Sequence, residues 1–151
     1  MDILGDIKRD HNNVKALFRE FEGLGVNAKA TRLKLARKIM EELVAHDEAE
    51  EQTLYGRLKE RVRESDARIK LFEAYTEHTM ASDLISKLQK SESVDEEFTA
   101  MFQVLRENVE HHIKEEEGNV HKIAKDVFDK EELEELAPQF EEAKKRVTAK
   151  R

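Results

Sequence analysis

Apolar residues recur at steps of three and four along four long segments, and this periodicity restricts the fold more than any other feature. Such steps place side chains on one face of an α-helix. They predict helices over about 3–22, 29–63, 67–90 and 95–127, separated by GLGVN (23–27), a turn at Ser65-Asp66 and SESVDEE (91–97). The first segment shows the stripe most simply, at Ile3, Ile7, His11, Val14, Phe18 and Phe21.

The fold class predicted from these segments is all-α. At about 1.5 Å rise per residue the helices are roughly 30–50 Å long, and short connections favour an up-down-up-down four-helix bundle. Charged residues make up 40% of the chain, which disordered acidic chains also show, so the periodicity decides for helices. We expect a single domain over 1–151, with the bundle at about 1–128 and an additional C-terminal helical segment at about 129–151.

The C-terminal segment carries two signals of its own. Asp129, followed three residues later by Glu132, resembles a capping box at a helix start. Pro138 is expected to kink this segment or to begin its final helix, because proline cannot donate the helical hydrogen bond.

Composition excludes several classes of protein. The absence of cysteine excludes disulfides, thiolate zinc sites, ordinary iron–sulfur clusters and c-type haem attachment. A net charge of −7 without a basic face argues against a nucleic-acid partner. No apolar run approaches the length of a membrane span, and MDILGDIKRD lacks the core of a signal peptide. We therefore predict a cytoplasmic protein without a membrane or nucleic-acid partner.

Polar side chains interrupt all four apolar stripes near the middle of each helix. Each helix places one histidine on its stripe, namely His11, His46, His78 and His112. Glu50 and Glu116 follow one helical turn after two of them. Side chains at i and i+4 share a face, and mid-helix positions of an antiparallel bundle lie at one level. The six side chains are therefore predicted to converge in one layer of the interior.

A lone histidine on an apolar face is more often a hydrogen-bonded core residue than a metal ligand. The two glutamates favour a metal, because a buried carboxylate without a partner is costly or takes up a proton. No Lys or Arg shares their stripes at that level. Six donors exceed what one tetrahedral zinc uses, so we predict two metal ions with the glutamates bridging and the histidines terminal. Iron, zinc, copper and nickel all suit such donors.

The main competing helical metal site is the ferritin-like carboxylate centre. That centre uses Glu-x-x-His pairs and two further glutamates. Here the order is His-x-x-x-Glu, and the histidines outnumber the carboxylates. The pattern therefore disfavours a ferritin-like site.

Four motifs in order resemble the hemerythrin-like, HHE cation-binding domain: DHNNV (10–14), HDEAEEQTLY (46–55), EHTMASDLISKL (77–88) and HHIKEEEGNV (111–120). The resemblance implies a four-helix bundle that holds two non-haem iron ions with an oxo or hydroxo bridge. Members of the family bind dioxygen, sense oxygen or iron, or act in nitric-oxide response and iron-centre repair. The motif positions carry the histidine ligands onto His11, His46, His78 and His112 and the bridging carboxylates onto Glu50 and Glu116.

The chain departs from the oxygen-carrying members at one ligand. Those members have a further histidine one turn before the position of His78, where this chain has Ala74, and Ser82 stands one turn after it. Water or another protein group is expected in its place. Asp47 and Glu115 are nearby carboxylates, but both are predicted to face outward.

The remaining histidines and tyrosines are predicted to lie away from the metals. His111 points about 100° away from its neighbour in a helix, towards the surface or an interface. His121 lies off the stripe, and metal contact is not expected for it. Tyr55 and Tyr75 are predicted to be core residues or residues that support the ligands.

These observations favour a di-iron protein that binds dioxygen or a related small ligand such as nitric oxide. A redox enzyme or iron-centre repair protein acting on nitric oxide or peroxide is the first alternative, and a metal-sensing bundle, with zinc or another divalent ion, is the second. Whether there is turnover is left open. The oxidation state, the physiological ligand, the oligomeric state and any protein partner are also left open.

Overall fold

The computed structural model describes residues 1–150, and these are helical apart from short connections. The all-α prediction is therefore confirmed for the described chain, which contains no strand. The helices are α1 (Ile3–Gly23), α2 (Lys29–Glu50), α3 (Gly56–Arg61), α4 (Ser65–Gln89), α5 (Glu96–Glu115), α6 (His121–Val127) and α7 (Lys130–Ala149). None of them is both long and apolar enough to cross a lipid bilayer.

Two π-helical turns interrupt the long helices that the sequence predicts at 29–63 and 95–127. Glu51–Tyr55 joins α2 to α3, and Glu116–Val120 joins α5 to α6. At the first turn the amide of Gly56 donates to the carbonyl of Glu51, five residues earlier. A Cβ at Gly56 would lie 3.2 Å from that carbonyl oxygen, so glycine leaves the room that the wider turn needs. Both helices continue beyond their π-turns, as predicted.

Aspartates cap three of the helices. Asp2 accepts from the amide of Gly5, and Asp95 accepts from that of Phe98. The predicted capping box at Asp129 is present. Such caps satisfy amides that have no partner inside the helix. The turn predicted at Ser65-Asp66 is wrong, because α4 already begins at Ser65 and follows Glu64, whose side chain makes no capping hydrogen bond.

Two apolar clusters make up the core, one on each side of the histidine layer. One contains Val14, Phe18, Phe21, Phe98, Phe102 and Leu105, among others. The other contains Ile3, Ile7, Leu54, Leu58, Leu71 and Phe140, among others. Burial of each such side chain contributes about 1.5–3 kcal/mol. Along α1, His11 lies between Ile7 of one cluster and Val14 of the other, so the polar layer is enclosed on both sides.

The buried face of α4 differs from the predicted one. Steps of three and four from Leu71 predict Tyr75, His78, Ser82 and Ile85 on the stripe. Tyr75 is only partly buried, however, and Ser82 is exposed. Ala74 and Ala81 occupy the buried face instead. Both alanines lie one turn from His78, so small side chains surround the histidine on its own helix.

The C-terminal helix α7 packs along α1 and α2. Its buried face includes Leu136, Phe140 and Ala143. Pro138 lies inside α7, which continues across it, so the prediction that a new helix begins there is wrong. The predicted domain ends at Arg151, which lies outside the described residues.

Candidate metal centre

The structure brings the six predicted side chains together in two groups of four. The first group is His11, His46, Glu50 and Glu116, and the second is Glu50, His78, His112 and Glu116. All members are buried, and the ligand atoms within each group lie within 4.8 Å of one another. Both glutamates belong to both groups. This sharing is the arrangement expected for two metal positions joined by two carboxylates.

The Nε2 atom of each histidine faces a glutamate oxygen. His11 Nε2 lies 3.1 Å from Glu116 Oε1, and His46 Nε2 lies 3.3 Å from Glu50 Oε1. In the second group, His78 Nε2 lies 3.1 Å from Glu50 Oε1, and His112 Nε2 lies 3.6 Å from Glu116 Oε2. Two atoms bound at right angles to one ion at about 2.1 Å are about 3 Å apart. The spacing therefore suits coordination without large movement of the side chains.

A carboxylate fixes the orientation of each of the four predicted histidine ligands from behind. Because a carboxylate only accepts, each Nδ1 carries the proton and donates it, which leaves Nε2 free for a metal. The four pairs are His11 with Glu117 at 2.7 Å, His46 with Asp10 at 2.8 Å, His78 with Glu51 at 2.8 Å and His112 with Glu77 at 2.7 Å.

Without a metal, the charges of the site compensate one another through protons. Burial lowers the pKa of His46, but the carboxylates of Glu50 and Asp10 outweigh it and hold the pKa well above its ordinary value. Burial likewise lowers the pKa of His112, and hydrogen bonds to Glu116 and Glu77 raise it to about 10. For Glu116, burial raises the pKa, while the neighbouring imidazoles hold it well below its ordinary value. In the metal-free site, protons on the imidazoles therefore balance the negative charge of the glutamates.

Several buried polar atoms at this site have no hydrogen-bond partner. They are His46 Nε2, both oxygens of Glu50, Glu116 Oε1 and both ring nitrogens of His121. Carboxylate oxygens cannot satisfy one another, because both are acceptors. A cation between them would satisfy the oxygens and the free nitrogens together, so the residues fit a metal centre.

A cavity of about 470 Å³ gives access to the histidine layer. All four site histidines line it. Val14, Leu43 and Val109 supply apolar wall, whereas Asn13 and Lys144 supply polar wall. A small molecule can therefore reach the histidine layer.

Asp47 and Tyr55 lie closer to the centre than the sequence suggested. Asp47 was predicted to face outward, but its Oδ1 lies 3.4 Å from His78 Nε2. Tyr55 is fully buried, stacks on the ring of His78 and donates its hydroxyl hydrogen bond to Glu116. Tyr55 thus supports the ligands, as predicted.

The stripe analysis also placed His121 wrongly. It is buried, and its Nε2 lies 3.9 Å from Glu116 Oε1. The π-turn explains the error, because its wider turn buries residue i+5 as well as residue i+4 after Glu116. His111 is exposed, as predicted.

His46 is linked to α7 through Asp10 and Lys144. Lys144 Nζ lies 2.8 Å from Asp10 Oδ2, the oxygen that accepts from His46. Phe140 presents an edge-on contact to the same imidazole, with ring centroids 5.5 Å apart. The C-terminal helix therefore helps to orient a ligand of the first group.

Asp10→Asn is expected to weaken metal binding by about 10- to 100-fold, because the amide is a poorer acceptor for the His46 ring N–H. Titration of the metal-free protein with zinc against a chromophoric chelator measures this loss. Asp83→Asn is the matched control, since Asp83 is exposed on α4. Equal affinities of the two variants would contradict the orienting role of Asp10.

Comparisons with known proteins identify the family and the fold. The sequence model of the hemerythrin HHE cation binding domain matches residues 2–124, so α7 lies beyond the matched region. A crystal structure of a hemerythrin HHE cation binding domain-containing protein from Mycobacterium kansasii has a TM-score of 0.82 at 22% identity, covering 99% of this chain and 89% of that one. This likeness establishes the fold.

A curated relative from Nostoc sp., named a DNA nickase, is 28% identical over 147 residues. The match covers 97% of this chain and 40% of that protein, so this chain spans about two fifths of the length of its relative. The family match covers most of the chain. The chain belongs to the hemerythrin HHE cation-binding domain family.

Proposed function

We propose that this protein is a non-haem di-iron protein that binds dioxygen or a related small ligand inside an up-down-up-down four-helix bundle. The observation that carries the proposal is the pair of four-residue donor groups that share Glu50 and Glu116. A single ion would not require two groups, and a structural zinc site would not require six donors. Membership of a cation-binding family supports the same conclusion.

In this proposal each residue of the site has a defined role. His11 and His46 would hold one iron, His78 and His112 would hold the other, and the glutamates would bridge the pair. When bound, the iron pair supplies the redox chemistry of reversible dioxygen binding. The carboxylates behind the histidines keep Nδ1 protonated and the rings fixed.

The cavity determines which molecules reach the centre. Its apolar wall admits small apolar gases, and the two core clusters restrict access from the other directions. The cavity volume of about 470 Å³ is far larger than a diatomic molecule. A water molecule, which is of similar size, takes up only about 30 Å³ in the liquid. Size alone therefore does not select dioxygen over nitric oxide or peroxide.

Optical spectroscopy of the iron-loaded protein tests the proposal. Anaerobic reduction followed by exposure to oxygen is expected to produce a charge-transfer band that disappears on deoxygenation. Elemental analysis of protein purified without added metal is expected to give two irons per chain. An iron-loaded protein without a spectral response would remove the dioxygen proposal, and a zinc-only protein would favour metal sensing.

Redox turnover of peroxide or nitric oxide is a second candidate function, and the residue at Ala74 favours it. This position, where oxygen-carrying relatives have a ligand, is a buried alanine that offers no donor. The second metal position therefore has one histidine fewer than in the oxygen-carrying members, which leaves room for a reactant. Sustained turnover would support this function, whereas stoichiometric binding without turnover would support dioxygen binding.

The name of the Nostoc relative does not extend to this chain in our proposal. A net charge of −7 repels a phosphate backbone. We therefore propose neither a nucleic-acid nor a membrane partner, and we place the protein in the cytoplasm.

A further inference from the structure

The two halves of the bundle repeat one pattern of functional residues. An acidic residue precedes a histidine at Asp10-His11 and again at Glu77-His78. The second motif is His-x-x-x-Glu-Glu, which begins at His46 and again at His112. The first acidic residue of each half supports the histidine of the second motif in the same half. The metal centre therefore has approximate two-fold symmetry.

The supporting carboxylates of the π-turns obey the same symmetry across the halves. Glu51, from the first half, accepts from His78 of the second. Glu117, from the second half, accepts from His11 of the first. Every ligand and every supporting carboxylate thus has a counterpart in the other half.

The symmetry is broken one π-turn after each bridging glutamate. Tyr55 stands five residues after Glu50, and His121 stands five residues after Glu116. The hydroxyl of Tyr55 donates to Glu116. Neither ring nitrogen of His121 has a hydrogen-bond partner, although the residue is only 2% exposed. A buried ring N–H without an acceptor destabilises a fold, so His121 requires a partner that protein atoms do not supply.

The position of His121 points to the first donor group. Its Nε2 lies 3.9 Å from Glu116 Oε1, the oxygen that faces His11 Nε2. Two atoms bound to one ion at about 2.1 Å are at most about 4.2 Å apart, so these two can share an ion. His121 is not in the group of donors within 4.8 Å of one another, so coordination requires its ring to move inward.

We propose that His121 is a fifth protein ligand, and a third imidazole, of the metal position formed by His11, His46, Glu50 and Glu116. The equivalent place beside the other position is taken by Tyr55. The first position is therefore the more fully coordinated and fills first, and the second keeps room for an exogenous ligand. This inference rests on the metal centre of the proposed function, but it requires neither iron nor dioxygen.

Metal titrations of His121→Leu test the proposal, because leucine fills the buried space but cannot coordinate. The metal-free protein is titrated with zinc against a chromophoric chelator, and circular dichroism checks the helix content. Wild type is expected to bind two ions in unequal steps, and His121→Leu is expected to weaken the tighter step by at least about tenfold. His111→Leu is the matched control, because it makes the same change at an exposed histidine and should leave both steps as in wild type.

Unchanged steps in a folded His121→Leu variant would overturn the proposal while leaving the proposed function intact. Failure of wild type to bind any ion would remove both. A measurement on wild type covers the case in which the variant does not fold. Pulsed electron paramagnetic resonance of protein carrying one equivalent of Cu²⁺ counts the coordinated imidazoles: three support His121 as a ligand, and two overturn it.

Discussion

Replacing either Glu50 or Glu116 by alanine is expected to abolish binding at both metal positions. Each glutamate belongs to both donor groups, so one substitution removes a ligand from two positions at once. The same change also leaves the remaining buried donors with less negative charge to attract a cation. Loss of a supporting residue costs about 10- to 100-fold in affinity, and loss of a shared ligand should exceed that range at both positions.

Terminal histidines should behave differently from the shared glutamates. His11→Ala removes a donor from the first group only, and His78→Ala removes one from the second only. Each variant is expected to retain one ion per chain where wild type retains two. Elemental analysis after exhaustive dialysis measures the retained metal, and Glu48→Ala, an exposed change on α2, serves as the control. Retention of one ion by Glu50→Ala would show that the carboxylates do not bridge.

The periodicity of the sequence was sufficient to find the long helices and the six residues at the centre. Hydrophobic burial determines which face of a helix turns inward, and the histidines and glutamates stand on that face at regular intervals. A polar residue that recurs at the same level of four apolar stripes can be recognised from the sequence alone. The interior could therefore be predicted as far as the second π-turn.

The regular period failed beyond the second π-turn, Glu116–Val120. After Glu116 a period of 3.6 residues predicts Ile123 and Val127 on the stripe, but both are only partly buried. His121 and Ala124 are buried instead. A π-turn adds a residue to the turn and so rotates every later side chain around the helix. The glycine at Gly56 is a weak sequence signal for the first of these turns.

The carboxylates that support the histidines could not be identified from sequence for a different reason. Asp10, Glu51, Glu77 and Glu117 stand beside ligands along the chain, where charged residues usually belong to a solvated face. All four serve a histidine of another helix, as Asp10 does for His46. Such pairings depend on how neighbouring helices are rotated against each other, and the periodicity of a single helix does not specify that rotation.

Removal of the metal is expected to lower the free energy of unfolding and to make it depend on pH. An ion that binds only the folded chain stabilises it by about 2.7 kcal/mol when its free concentration is 100 times its Kd. Two positions therefore supply a stabilisation that a chelator removes. The remaining stability of the metal-free chain depends on the protons that replace the cations.

The direction of the pH dependence follows from the histidines. Interactions with Glu116 and Glu77 outweigh burial and raise the pKa of His112 from 6.5 to about 10 in the folded chain. A group whose pKa is raised by folding stabilises the fold fully below its unfolded pKa and loses that contribution as the pH rises to its folded pKa. The pKa values of His46 and His78 are also held well above the ordinary value, so they add to the effect.

Denaturant unfolding of the chelated and metal-loaded proteins, compared at several pH values, measures this difference. Between the ordinary histidine pKa of 6.5 and the raised value of about 10 for His112, the metal-free chain should lose stability as the pH rises, and His112 should contribute roughly 1.4 kcal/mol per pH unit to this loss. The metal-loaded chain should not show this loss, because its imidazoles are already neutral ligands. A metal-free chain that became more stable over this interval would contradict the proposal that protons replace the cations.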